Sequence, residues 1–401
     1  MKNKNIVLCV CGGIAAYKSV ELLRLLVKQG ASVKVIMTQS AKKFVAPLTF
    51  EAISGHSVYS DLFETDPDAS IKHIDWADKA DAVVVAPATA NIIGKMANGI
   101  ADDAMSTFIL ALKSPLILAP SMNTYMYESL PVQRNLDTLE NDGIIIMEPD
   151  AGELACGTSG PGRLPEPEHI ADKLKSLLTP KDLKGQTVLV TAGPTQEYID
   201  PVRFISNPSS GKMGFAIATA AGQRGAQVVL ITGPVHLPDP RGILTIRVKT
   251  AKEMGDAVFE HMNHSNIIIK TAAVSDYTPV DKSEQKIKKI KNEMVLSLKK
   301  NLDILKEIGA QKKNQILVGF AAETEQLEKH ATGKLIKKNL DMIVGNIVGT
   351  ESSGFQSNTN KVTFFYKDGT KEPFDSMEKE AVAHILFDRI IEKYLRAPLN
   401  Q

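Results

Sequence analysis

Only three cysteines occur in the 401 residues, too few for a disulfide framework. Cys9 and Cys11 would share one face of a single strand, where the geometry for a bridge is poor. A reduced, cytoplasmic protein is the expectation. Neither sign of charge is in excess: 47 basic against 46 acidic residues give +1, which argues against generic nucleic-acid or membrane-surface binding. Long apolar runs are missing too. The stretch after Met1-Lys2-Asn3-Lys4-Asn5 stops at Gly12-Gly13, too short for a span and without a signal-peptide cleavage pattern. Gly12-Gly13 is not a G-x-G-x-x-G fingerprint, and no acidic residue is clearly placed to hold a dinucleotide ribose. Gly211-Lys212 lacks the upstream glycine of a P-loop, and Met213 stands where that motif needs Ser or Thr. No candidate residue has metal-site spacing, and no Ser-His-Asp arrangement can be assembled.

What is present is a globular composition, 43% hydrophobic and 23% charged, on a chain long enough for two domains. Short apolar strands alternate with helices: Ile6–Val10, a helix over about 14–29, Val33–Met37, Ala82–Ala86, helices over 91–96 and 103–112, then Leu116–Ala119. Such alternation predicts an α/β fold with parallel strands covered on both faces. A Gly/Pro-rich stretch from Asp150 to Pro167 reads as a loop, a helix of about a dozen residues follows, and 179–185 reads as a linker. Thr187–Thr191, a helix over 210–223 and Gln227–Thr232 restart the pattern. The expected domains are 1–180 and 185–401.

The unusual residues fall at strand ends, where ligands of such sheets bind. Gly12-Gly13 lets backbone N–H groups approach an anion at a helix N-terminus; the ordinary alternative is a tight turn. His73, within Ile71-Lys72-His73-Ile74-Asp75, is by residue type more often a surface or core-edge histidine than a catalyst. Asn123 either points its amide into the crevice or caps the helix that starts near Tyr125. Cys156 lies in a glycine-rich loop where it adds little to a core. Asp150, Glu153 and Glu166 nearby in sequence would keep its thiol protonated, which suits a proton donor better than a nucleophile. Ser209-Ser210-Gly211-Lys212-Met213-Gly214 opens a helix after a polar loop, a second anion site. Asn207 just before it is either a turn residue or a group facing the ligand. The lysine run from 282 to 313 reads by itself as a solvated face.

Gly12-Gly13-Ile14-Ala15-Ala16-Tyr17-Lys18, Ala86-Pro87-Ala88-Thr89-Ala90, Pro120-Ser121-Met122-Asn123 and the Cys156 loop together resemble the flavin-dependent cysteine decarboxylases, with phosphopantothenoylcysteine decarboxylases the nearest match, over the N-terminal half. The resemblance implies a flavodoxin-like, doubly wound domain with FMN on Gly12, Gly13, Ile14, Thr38, Pro87, Ala88, Thr89 and Ser106. It also implies His73, Asn123 and Cys156 as catalytic residues, with Met122 and Asn123 on the substrate. Cys11 departs from a position where a hydroxyl residue is common. The second half carries Thr191-Ala192-Gly193-Pro194-Thr195, Asp200-Pro201-Val202-Arg203-Phe204-Ile205-Ser206-Asn207, Ala272-Ala273-Val274-Ser275-Asp276-Tyr277, Lys286-Ile287-Lys288-Lys289 and Gly319-Phe320-Ala321-Ala322-Glu323-Thr324. Together these resemble the phosphopantothenate–cysteine ligases and imply a Rossmann-like domain. Nucleotide binding is carried to Asp276, Lys286, Leu302, Asp303, Ile304, Leu305, Phe320, Lys334 and Lys338, and catalysis to Asn207 and Lys286. Leu302 departs from the proline usual in that segment.

The implied ligase step activates 4′-phosphopantothenate with CTP and Mg²⁺, releases pyrophosphate, and lets the cysteine amine attack the acyl-nucleotide. The implied second step decarboxylates the product with FMN as electron sink, Cys156 supplying a proton. The resemblance further implies a homo-oligomer of trimeric flavin domains and dimeric ligase domains, up to a dodecamer. Two rivals stand beside this reading. A nicotinamide-dependent dehydrogenase is disfavoured by the missing fingerprint, and a non-catalytic flavin-binding regulator by the presence of His73, Asn123 and Cys156.

Overall fold

The computed structural model describes residues 1–63, 72–154, 157, 159–288, 294–323, 325–347 and 357–395. It divides into two compact units, Met1–Thr179 and Pro180–Gln401. No helix among the described residues is long and apolar enough to cross a membrane.

The first unit runs β1 (Asn5–Val10), α1 (Ala16–Lys28), β2 (Ser32–Met37), α2 (Pro47–Ser54), α3 (Lys72–Lys79), β3 (Ala82–Ala88), α4 (Ala90–Ala97) and α5 (Ala104–Leu110). It continues with β4 (Leu116–Pro120), α6 (Thr124–Tyr127), α7 (Leu130–Asn141), β5 (Ile145–Ile146), β6 (Asp150–Glu153), β7 (Ser159–Arg163) and α8 (Pro167–Leu178). Among the described residues the main sheet has five parallel strands in the order β2-β1-β3-β4-β5, the flavodoxin-like arrangement. Ile6, Leu8 and Val10 pack with Leu22 and Leu26 of α1 and Ile170 and Leu174 of α8. Val7 and Cys9 face the other way, onto Trp76, Ile92 and Phe108. Burial on both faces is why these strands read as unbroken apolar runs. Cys9 and Cys11 are both buried free thiols. The 150–163 stretch is not a plain loop: β6 and β7 pair antiparallel as a hairpin.

The second unit opens with β8 (Thr187–Ala192), β9 (Gln196–Tyr198), β10 (Phe204–Ser206), α9 (Lys212–Gln223), β11 (Gln227–Thr232), β12 (Leu244–Arg247), α10 (Ala251–Met262) and β13 (Ile267–Lys270). Then come β14 (Tyr277–Pro279), β15 (Leu298–Lys300), α11 (Ile304–Gln311), β16 (Ile316–Glu323), α12 (Leu327–Lys337) and β17 (Met342–Ile347). The chain closes with β18 (Thr359–Asn360), β19 (Val362–Tyr366), β20 (Lys371–Pro373), β21 (Met377–Glu378) and α13 (Lys379–Ile390). Its main sheet has the order β12-β11-β8-β13-β16-β17-β19-β20. Counted along the chain, the six parallel strands follow 3-2-1-4-5-6, the Rossmann order, and β19 and β20 extend the sheet antiparallel. Helices α9 and α13 cover one face, packing Phe215, Ile217, Leu386 and Phe387 against Val188, Val190 and Ile269. Helices α10, α11 and α12 cover the other, around Leu189, Ile268 and Leu317.

Residues that read as linker belong in part to this second core. Leu183 is fully buried within it, and its N–H donates to the Arg224 carbonyl at 3.0 Å. Asp182 takes both arms of the buried Arg224 guanidinium, at 2.8 and 2.7 Å. A fragment starting at Lys184 therefore loses an anchor that one starting at Pro180 keeps. Burying a leucine contributes roughly 1.5–3 kcal/mol, and an ion pair of this kind adds to it. The 184–401 fragment should melt lower than 180–401 by roughly 5–10 °C, which calorimetry of the two fragments checks.

Candidate functional site

In the first unit the strand order reverses between β1 and β3, which places a crevice past their carboxyl ends. The segments there are held side by side. Thr38 N–H donates to the Val10 carbonyl at 3.1 Å and Cys11 N–H to the Pro87 carbonyl at 3.3 Å. A Cβ on Gly12 would lie 2.4 Å from the Ser40 Cβ, so only glycine lets the two loops close up. At Gly13, by contrast, nothing lies within 4 Å of a Cβ position, and α1 begins without a side-chain cap. Open space beside uncapped helical N–H groups fits a phosphate. Lys18 of the same motif is structural, its ammonium 2.8 Å from Glu166 at the start of α8.

Not every expected contact is available. Ser106 is buried in the capping box of α5, its hydroxyl 3.0 Å from an Asp103 carboxylate oxygen. It is thus committed to the helix start rather than to a ligand. Burial pushes the Cys11 thiol up to about 12, and the sulfur sits 3.6 Å from the Met105 sulfur; it is a neutral packing group. Thr89 caps α4, Ala88 is buried and Ile14 is exposed.

Asn123 takes the helix-capping role: its Oδ1 accepts from Tyr125 N–H at 2.9 Å. Its loop is also tied to the hairpin. Met122 N–H donates to the Gly162 carbonyl at 3.0 Å. A Cβ on Gly162 would fall 2.2 Å from the Met122 carbonyl oxygen, and one on Gly160 2.7 Å from the Thr124 side chain. The glycines of this stretch thus allow β7 to lie against the Asn123 loop. Cys156 itself lies outside the described residues. His73 stands partly buried in the first turn of α3, and none of the crevice hydrogen bonds among the described residues involves it.

The second unit's switch point falls between β8 and β13, and a cavity of about 410 Å³ opens there. Asp276, Leu302, Asp303 and Ile304 line it, together with Leu305, Phe320, Lys334 and Lys338. Ile304 and Leu305 have buried side chains in the core, so they offer backbone. Asp303 caps α11 through Lys306 N–H and pairs with Lys338 at 2.8 Å. Lys334 rests 2.7 Å from Glu323. The N-terminus of α9, from Ser209 to Lys212, forms another wall.

Asn207 does not line the cavity but braces its wall, donating to the Ala273 carbonyl at 3.1 Å. Lys286 does not line it either. It is exposed on a segment docked to the β9–β10 hairpin. There the fully buried Asp200 carboxylate accepts from the N–H groups of Val202, Arg203 and Ile287 at 2.8, 2.9 and 3.1 Å. Arg203 donates in turn to the Ile287 carbonyl. The peptide following Lys286 is therefore gripped at both its N–H and the next carbonyl, and the gripping pair is the Asp200–Arg203 part of a sequence motif.

Several lining residues were not legible beforehand: Lys270, Ser275, Asn346, Asn360 and Lys379. For Lys270 a signal exists, since a lysine closing the run Ile267-Ile268-Ile269 stands at a carboxyl strand end. Ser275 and Asn346 each hold a buried side-chain oxygen with no hydrogen-bond partner among the described residues, as expected where a ligand supplies the partner. No group of three or more metal-ligating His, Cys, Asp or Glu side chains occurs among the described residues.

Comparison with known proteins agrees with this two-unit picture. A family described as "Flavoprotein" matches residues 1–179, and "DNA/pantothenate metabolism flavoprotein C-terminal domain" matches 183–394. A relative from Bacillus subtilis (strain 168), named coenzyme A biosynthesis bifunctional protein CoaBC, is 51% identical over 97% of both chains. Proteins of the same name from Vibrio cholerae and Escherichia coli (strain K12) are 46% and 44% identical. They cover 97% and 98% of this chain, and 99% and 98% of their own.

The Asp200 grip gives a direct expectation. Replacing its charge in Asp200→Asn weakens three N–H bonds to a buried acceptor, so trypsin should cut after Lys286 severalfold faster than in the unaltered chain. Peptide mapping of short digests reads this; equal rates in the two proteins would show that the grip does not hold the segment.

Proposed function

Because the chain belongs to the family of coenzyme A biosynthesis bifunctional proteins, we propose that Pro180–Gln401 ligates 4′-phosphopantothenate to cysteine with CTP and that Met1–Thr179 decarboxylates the product with FMN. The observation that carries the ligase assignment is the cavity at the β8–β13 switch point, walled by the helix α9 N-terminus and by the nucleotide candidates. A carboxylate oxygen of the substrate attacks the α-phosphorus of CTP and pyrophosphate leaves. The cysteine amine then attacks the acyl carbon, loses a proton, and CMP leaves with the bonding pair. Lys334 and Lys338 offer charge to the phosphates once they turn from Glu323 and Asp303. Asp276 is the lining carboxylate without an ion pair among the described residues, so magnesium would be held by phosphate oxygens with this one carboxylate in reach. Lys286, on its docked segment, serves activation, and Asn207 serves the acyl-transfer wall.

In the first unit the flavin phosphate would sit on Gly12, Gly13 and Ile14, beside Thr38 and the 87–89 loop. Bound FMN supplies a two-electron sink and returns the same electrons, so no outside redox partner is consumed. Asn123 holds the substrate end that carries the carboxylate, Met122 packs beside it, and His73 orients that carboxylate or takes a proton. Cys156 donates the proton that completes the product. A homo-oligomer in the cytoplasm, with trimeric flavin units and dimeric ligase units, completes this reading.

The full chain should purify yellow and release FMN. With 4′-phosphopantothenate, cysteine and CTP it should yield pyrophosphate, CMP and carbon dioxide in equal amounts. Pyrophosphate release that does not depend on CTP and 4′-phosphopantothenate would refute the ligase half; a colourless protein that takes up no flavin would refute the other. Cys156→Ser replaces the acid by a far weaker one, so carbon dioxide should still form while the product stays at the oxidised enethiol level. Chromatography of the thiol products decides this, and normal product at a normal rate would remove Cys156 from its role.

A further inference from the structure

Lys270 ends β13 in the middle of the sheet, paired with Thr191 of β8 and Gly319 of β16. Strand alternation puts its side chain on the face of Ile268, toward α11 and α12. Ammonium groups held this far inside a fold normally have a carboxylate or carbonyl partner. Lys270 has none: among the described residues no hydrogen bond or ion pair holds its nitrogen, although it lines the cavity. The other inward lysines differ. Lys334 is paired with Glu323 and Lys338 with Asp303, while Lys379 donates to the Ser357 carbonyl.

The cavity as a whole is also only partly compensated in charge. Six lysines line it against two aspartates, and the buried Ser275 hydroxyl beside them is without a partner among the described residues. The lining thus favours an anionic ligand. We infer that Lys270, as its ammonium, binds a phosphate group of the ligand at the inner wall of this cavity. The inference rests on the cavity being the site of a phosphorylated ligand. The shared chemistry is a phosphate oxyanion, which the nucleotide and the phosphorylated pantothenate both carry.

Burial pushes Lys270 down to about 8, helped by the Lys338 charge at the end of α12 and opposed by Asp303 at the start of α11 and Asp276 after β13. Its strand neighbours Thr191 and Gly319 do not titrate. A phosphate at contact distance favours the ammonium and raises this value. Affinity is then full below about 8 and falls as pH rises through that value, while binding takes up a proton between it and the raised one. Above pH of about 8 the ligand phosphate is already fully ionised, so a proton taken up there belongs to the protein. One other lining group titrates in this range: burial and the Lys212 charge lower Lys379 to about 8. Lys379→Met is therefore measured in parallel.

The experiment is calorimetric titration of the full chain at a pH of about 8.5 with CTP and, separately, with 4′-phosphopantothenate, in two buffers of different ionisation heat. The unaltered protein should take up a substantial fraction of a proton with at least one ligand. Lys270→Met should lose that uptake and bind the same ligand roughly tenfold or more weakly. Lys270→Arg should keep the affinity better than Lys270→Met, and Lys379→Met should leave the Lys270 share of the uptake in place. The ligand-free Lys270→Met protein should melt no lower than the original, because a partly buried ammonium without a hydrogen-bond partner is gone; a merely structural lysine would give a lower melting point. Loss confined to one ligand names the phosphate that Lys270 contacts. If CTP does not bind the unaltered protein, the nucleotide reading falls while the phosphopantothenate titration still tests Lys270. Unchanged affinity and proton uptake in Lys270→Met for both ligands, or no binding of either ligand, overturns the inference.

Discussion

Helix α9 approaches the ends of β8 and β13 so closely that no side chain fits between them. A Cβ at Gly214 would fall 2.5 Å from the Ala192 Cβ and 2.6 Å from Thr271 Oγ1. Thr271 Oγ1 is itself tied down, donating to the Thr191 carbonyl at 2.6 Å. This contact sets where the helix begins, at Gly211 in the left-handed region with φ 75°, and so where its uncapped N–H groups open onto the cavity. The Ser209–Lys212 wall of the cavity, and Asn207 against the Ala273 carbonyl beside it, stand next to that approach. A methyl at 214 would push the helix outward and shift the wall with it.

Charge gives the second unit its chemical direction. An excess of lysine over aspartate in a cavity of this size is costly in the ligand-free protein. Pairs such as Lys338 with Asp303 and Lys334 with Glu323 lower that cost in part. They are also exchangeable: an incoming phosphate can take over a lysine while the carboxylate keeps its N–H donor, as Asp303 keeps Lys306 N–H. A site built this way gains most from a ligand of high negative charge.

The first unit solves a different problem, which is to hold the β6–β7 hairpin against the segment that follows β4. Its hairpin supplies the hold, since Gly160 and Gly162 permit backbone contact with the Met122–Thr124 segment. Strand β7 is thereby held against the segment that carries Asn123. Glycine is required here by space as well as by backbone conformation.

Much of the architecture was legible because parallel strands buried on both faces need continuous apolar residues, and β1, β3, β8 and β13 carry them. The strand-end motifs followed from the same logic, and the nucleotide candidates Asp276, Asp303, Phe320, Lys334 and Lys338 do meet at one cavity. The local pattern misread what depends on distant partners. Leu183 looked like linker because its core lies around residues far along the chain, and Ser106 looked available because its bond to Asp103 is a matter of helix capping. Lys286, which the resemblance carries to the nucleotide set, lies outside the cavity lining, on a segment held by Asp200 and Arg203. Lys270 and Lys379 share a cavity only because sheet order and register bring β13 and the start of α13 to one switch point. Residue type and periodicity determine which faces are buried and where ligands can enter. Which charges then meet inside, and which of them go unpaired, is decided by packing between segments that no local window contains.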